Sequence, residues 1–84
     1  MKKIKLKKDV IIEVLDEKLI ALSIDKGIFF EINEAGHQII KLINLGEDYE
    51  KIVEAFKKKY KITHVEAKSD IDKFLKQLEE KSII

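Results

Sequence analysis

From Val10 onward the apolar and polar positions fall first into short β-rich runs and then into helical stripes. Val10–Leu15, Lys18–Ile24 and Ile28–Ile32 read as three strands, separated by Asp16-Glu17 and by Asp25-Lys26-Gly27. Both connectors are short and polar, and Gly27 is free to take positive φ, so consecutive strands are expected to pair antiparallel. Ile20, Leu22 and Ile24 alternate along the second strand, which predicts that they share its buried face. The segment Lys3–Lys8 alternates lysine with Ile4 and Leu6 and either extends the first strand or lies across the sheet edge.

After Ile32 the period changes. Asn33 is placed as an N-cap, Glu34 adds a favourable charge to the first turn, and Ile39, Ile40, Leu42 and Ile43 form a stripe that stops at Gly46. Asp48 caps a second helix in which Ile52, Val53, Phe56 and Tyr60 recur at three- and four-residue steps, ending near Lys61. Thr63 with Glu66 is a capping-box pair for a third helix, with a predicted buried stripe of Val65, Ala67, Ile71, Phe74, Leu75 and Leu78. Ile83 and Ile84 follow it. The order βββααα cannot form a parallel βαβ sheet. It predicts one α+β domain over residues 1–84, winged-helix-like, with a three-stranded antiparallel sheet packed on three helices.

Composition narrows the chemistry. The chain has 84 residues, 45% hydrophobic and 39% charged, a balance that suits one compact core under a solvated exterior. Apolar stretches such as Leu19–Leu22 fall far short of a membrane span, and Met1–Lys8 lacks the apolar centre of a signal peptide, so a cytoplasmic location is expected. The absence of cysteine excludes disulfides, thiolate nucleophiles and zinc ribbons. The net charge of +1 conceals a basic patch of Lys2, Lys3, Lys5, Lys7 and Lys8, read here as a solvated, partly frayed segment spanning residues 1–8.

Catalysis is not expected. His37 and His64 are the only histidines, and neither has a neighbour that would make it a general base or a metal ligand. The acids Asp70, Asp72, Glu79 and Glu80 are spread along a polar helix face. No phosphate-cradling glycine pattern occurs, so no nucleotide, metal or other cofactor is expected. Gly36, within the first turn of helix one, is explained only if something packs too closely there to admit a side chain.

The run Phe29-Phe30-Glu31-Ile32-Asn33-Glu34-Ala35-Gly36, followed by Ile39 and Ile40, resembles the signature of the PqqD-like family. The resemblance continues through Gly46–Val53, Phe56 with Tyr60, and Phe74-Leu75, Leu78 and Lys81, and so covers nearly the whole chain. It implies a small winged-helix-like recognition element that binds the leader segment of a ribosomally made precursor peptide, alone or fused to a radical SAM enzyme, a cyclodehydratase or a lasso-peptide protease.

The residues allow such a mode. The chain leaves the third strand directly for helix one, so that strand can be a sheet edge with N–H and C=O groups open to a further strand. Ile28, Phe29, Phe30 and Glu31 would form the edge, with Phe30 and Ile32 assigned to the core and Phe29 placed near the peptide as the leading anchor. Lys68, Ile71, Asp72 and Leu75 would form the facing wall on helix three, with Lys76 at its rim.

Two other functions compete. A winged-helix DNA-binding protein would present helix three to the major groove, yet His64–Lys81 carries five acids against four bases, and the chain has no arginine to read guanine. An adaptor would dock on an enzyme without touching its substrate. The expected partners are therefore a precursor leader peptide and a modifying enzyme, either a radical SAM enzyme or a leader peptidase, and neither nucleic acid nor membrane. The module is expected to be a monomer, a dimer being the alternative.

Overall fold

The computed structural model describes residues 4–84, so Lys2 and Lys3 of the basic patch lie outside the described residues. Three strands, β1 (Val10–Leu15), β2 (Lys18–Ser23) and β3 (Ile28–Ile32), precede three helices, α1 (Glu34–Asn44), α2 (Tyr49–Tyr60) and α3 (His64–Glu80). The sheet is antiparallel in the order β1-β2-β3, which makes this the expected α+β architecture.

The two-residue β1–β2 turn sets the phase of the whole sheet. Asp16 (φ 51°) and Glu17 (φ 66°) are both left-handed, as a type I′ hairpin requires, with Leu15 opposite Lys18 as its closing pair. Hydrogen-bonded pairs then recur every second residue, and the bond from the Ile24 N–H to the Asp9 carbonyl (3.1 Å) lies in this phase. Lys18, Ile20 and Leu22 therefore turn their backbone groups to β1, while Leu19, Ala21 and Ser23 turn theirs to Ile32, Phe30 and Ile28. The second hairpin turns at Gly27 (φ 63°), whose N–H donates to the Ser23 carbonyl at 2.9 Å.

The core face of β2 is not the one its large aliphatics predicted. Ala21 and Ser23 are buried, whereas Ile20 and Leu22 lie on the outer face and Ile24 is exposed. Ala21 sits between Ile12 on β1 and Phe30 on β3, and these bulkier neighbours leave room for only a small residue in the middle strand. The buried Ser23 hydroxyl donates to the Asp9 carboxylate (3.2 Å), which also accepts from the Asp25 N–H (2.9 Å). Those bonds, the backbone N–H first, hold the Asp9 carboxyl below its ordinary range.

All three helices begin as expected. Asn33 Oδ1 accepts from the Gly36 N–H (2.8 Å) and Asp48 Oδ1 from the Lys51 N–H (3.0 Å), while Thr63 and Glu66 form a reciprocal capping box. Ile39, Ile40 and Ile43 of α1, Ile52, Val53 and Phe56 of α2, and Ala67, Ile71 and Leu78 of α3 form one core with Ile32 and Ile83. Each large aliphatic buried there contributes about 1.5–3 kcal/mol. Val65, expected in the α3 stripe, is 77% exposed because it lies in the first turn, before the helix reaches its neighbours.

Among the described residues before β1, those at 4–8 do not extend that strand. Ile4 and Leu6 pack against the core, and the Lys7 N–H donates to the Ile83 carbonyl at 2.9 Å, tying the two ends of the domain together. Lys5 and Lys7 stay outside because the alternate, apolar positions turn inward, and Lys8 is exposed as well.

Candidate functional site

Among the described residues β3 pairs with β2 alone, so its other side is a free edge. Because Ile28, Phe30 and Ile32 spend their backbone groups on β2, those of Phe29 and Glu31 point outward. Side chains alternate as well: Phe30 and Ile32 face the helices, while Phe29 and Glu31 face the opposite side of the sheet, with Phe29 69% exposed.

Beside this edge runs a groove of about 580 Å³. Phe30 and Ile32 form its strand side, Phe74 and Gln77 of α3 its far wall, and Asn33, Glu34 and His37 its end at the start of α1. The Phe30 and Phe74 rings lie 6.2 Å apart in a tilted contact, so the floor is aromatic. Glu17, Lys18 and Glu34 also line the groove, and Glu31, whose side chain faces the other side of the sheet, borders it along the edge.

Gly36 explains why Phe74 can stand there. A Cβ on Gly36 would fall 2.6 Å and 2.8 Å from the Phe74 ring atoms Cε1 and Cζ, and 2.9 Å from Ile32 Cγ2. The close contact that its position in helix one demanded is thus the packing of α3 onto the β3–α1 junction.

The expected helix-three wall differs from the one the fold builds. Ile71 is fully buried, and Leu75 is half-buried against the core. Lys68 and Asp72 turn toward α2, where the Tyr49 hydroxyl donates to Asp72 Oδ1 (2.6 Å) and the Lys68 ammonium lies 5.9 Å from the Tyr49 ring centroid. Lys76 is exposed and does not line the groove. A helix presents its flanks to different neighbours, so the residues on the α2 side of Ile71 cannot also face the sheet. The apolar stripe places Phe74 among the buried residues and gives Gln77 no role; the signal in the sequence for their position is the unexplained Gly36. The side chain of Phe29 likewise lies outside the groove, on the outer face with Leu15, Ile20 and Leu22.

Partial burial and the Asp72 carboxylate push the Tyr49 hydroxyl up from 10.0 to about 12. Between these values the folded chain keeps a proton that the unfolded chain releases, so this contribution is complete below about pH 10 and is lost as pH rises through about 12. Tyr49→Phe is expected to cost about 1 kcal/mol near neutral pH, from the lost hydrogen bond. Denaturant melts through this window should show the gap to wild type closing as the pH rises.

Among the described residues no group of three or more His, Cys, Asp or Glu side chains is placed to hold a metal ion, and no helix is long and apolar enough to cross a membrane. The fold as a whole is similar to that of a solved structure, TbiB1 in complex with the TbiA(beta) leader peptide. The two share 25% sequence identity with a TM-score of 0.86, over 95% of this chain and 93% of that one. No curated protein matches the chain significantly. The family model of coenzyme PQQ synthesis protein D matches residues 18–84, which takes in every element from β2 through the groove-forming α3. By that match the chain belongs to the PqqD family.

Proposed function

We propose that this domain is a non-catalytic module that binds the leader segment of a ribosomally synthesised precursor peptide and presents it to a separate modifying enzyme. The leader adds to β3 as a fourth strand. The observation that carries this reading is the free β3 edge running beside an aromatic groove, which offers main-chain partners and apolar pockets to the same extended chain. Membership of the PqqD family and the overlap with a structure holding a leader peptide support it.

In this mode hydrogen bonds to the Phe29 and Glu31 backbone hold the strand. Its inward side chains rest on the aromatic floor that Phe30 and Phe74 form, and its outward ones lie beside Phe29. Affinity comes chiefly from apolar contact.

A labelled peptide covering the leader encoded with this chain is expected to bind with micromolar or better affinity in fluorescence anisotropy. Phe29→Ala should weaken binding several-fold, while Lys57→Ala, on α2 and not among the residues lining the groove, should leave it unchanged. Raising the salt concentration should lower affinity only mildly, whereas phosphate-directed nucleic-acid binding would collapse steeply. Equal losses from both substitutions, or a steep salt dependence, would exclude the proposed mode.

A further inference from the structure

A strand added to β3 would present its outward face to two residues that differ in chemistry, Phe29 and Glu31. In an antiparallel pair, residues directly opposite point to the same side of the sheet, with Cβ atoms about 4.5–5.5 Å apart. A strand laid along β3 must therefore set one side chain beside Phe29 and another, two positions away, beside Glu31. Phe29 stands 69% exposed at the border of an apolar surface that continues through Leu22 and Ile20 to Leu15. Glu31 pairs with Lys18 at 3.2 Å, yet both side chains stay more than half exposed, so the carboxylate can accept from a second cation on its open side.

We infer that the leader strand this domain selects carries a basic residue two positions before an apolar one, the first paired with Glu31 and the second with Phe29. The order follows from antiparallel addition, the arrangement of every other pair in this sheet. The residue between the two points into the groove toward Phe30 and Phe74 and is apolar as well. Apolar packing against Phe29 then supplies adhesion, while the charge fixes register: a slip by one residue would turn the basic side chain into the aromatic groove and leave Glu31 facing an apolar group.

The inference rests on strand addition at β3, and its test separates the two. A displayed library of random dodecapeptides is selected in parallel against the wild-type domain and against the double variant Lys18→Glu/Glu31→Lys, which reverses residue 31 while keeping an ion pair within the sheet. Thermal melts confirm that both are folded. Wild type is expected to enrich basic-x-apolar sequences, and the variant acidic-x-apolar ones. Synthetic peptides from each pool should prefer their own domain by roughly two- to fivefold, the size of an exposed cross-strand charge pair, and the preference should shrink at high salt. Enriched peptides without a basic residue at that spacing, or with one that does not switch in the variant, would overturn the inference while leaving strand addition standing. If neither folded domain enriches any peptide, strand addition itself fails.

Discussion

A chain with proline at position 31 is expected to keep its fold and lose its added strand. The backbone N–H of Glu31 points to the open edge, so its removal breaks no bond to β2, and an edge strand is where proline is tolerated. A strand added to β3 would lose one main-chain donor, and one of its own carbonyls would be left facing a ring. That costs about 1–3 kcal/mol, a loss of at least about fivefold in affinity. Glu31→Ala removes the same carboxylate but keeps the N–H, so the difference between the two variants isolates the backbone bond from the charge. Anisotropy with the leader peptide and denaturant melts on both variants provide the comparison. If the proline variant binds as well as the alanine one, the leader does not pair with β3.

Gly36→Ala is expected to destabilise the domain, although the same exchange in most helices does the opposite. Alanine is favoured over glycine in a helix interior by about 1 kcal/mol. Here its methyl group would stand 2.6–2.9 Å from Phe74 and Ile32, and such overpacking typically costs about 1–3 kcal/mol. Overpacking should therefore win, with a fall in Tm of about 4–8 °C for each kcal/mol lost in a domain of this size. Leader affinity should fall too, because the ring that must move is the far wall of the groove. Gly36→Ala combined with Phe74→Leu should recover part of the stability, and a double-mutant cycle would measure the coupling directly. A fully additive cycle would show that Gly36 is required for some reason other than the approach of α3.

These two positions also show how unevenly the site was written along the chain. The edge was legible from order alone: a third strand that runs straight into a helix has no following strand to cover it, and β3 is indeed unpaired on that side among the described residues. The inward assignment of Phe30 and Ile32 followed from alternation once Ile32 was taken as core. The far wall was not legible. Ile71, Leu75 and Phe74 are all apolar positions on one stripe, and nothing in their spacing tells which flank turns to the sheet and which to α2. The contacts of Tyr49 with Asp72 and Lys68 show the direction, and they join residues about twenty positions apart. The second strand misled for a related reason. Its larger aliphatics, Ile20 and Leu22, pointed to one face, but the position buried between Ile12 and Phe30 is that of Ala21.

By itself the sequence determined the elements, their order and their ends, because periodicity, capping side chains and turn residues act over a few positions and need no distant partner. It also carried the family resemblance, in a strand-to-helix junction that is continuous in the chain. The tertiary structure decided which face of β2 is core, which flank of α3 walls the groove, and how Leu6 and Lys7 meet Ile83. Each of these depends on how much room one element leaves another, a volume set jointly by side chains far apart in the sequence, and no local pattern contains it.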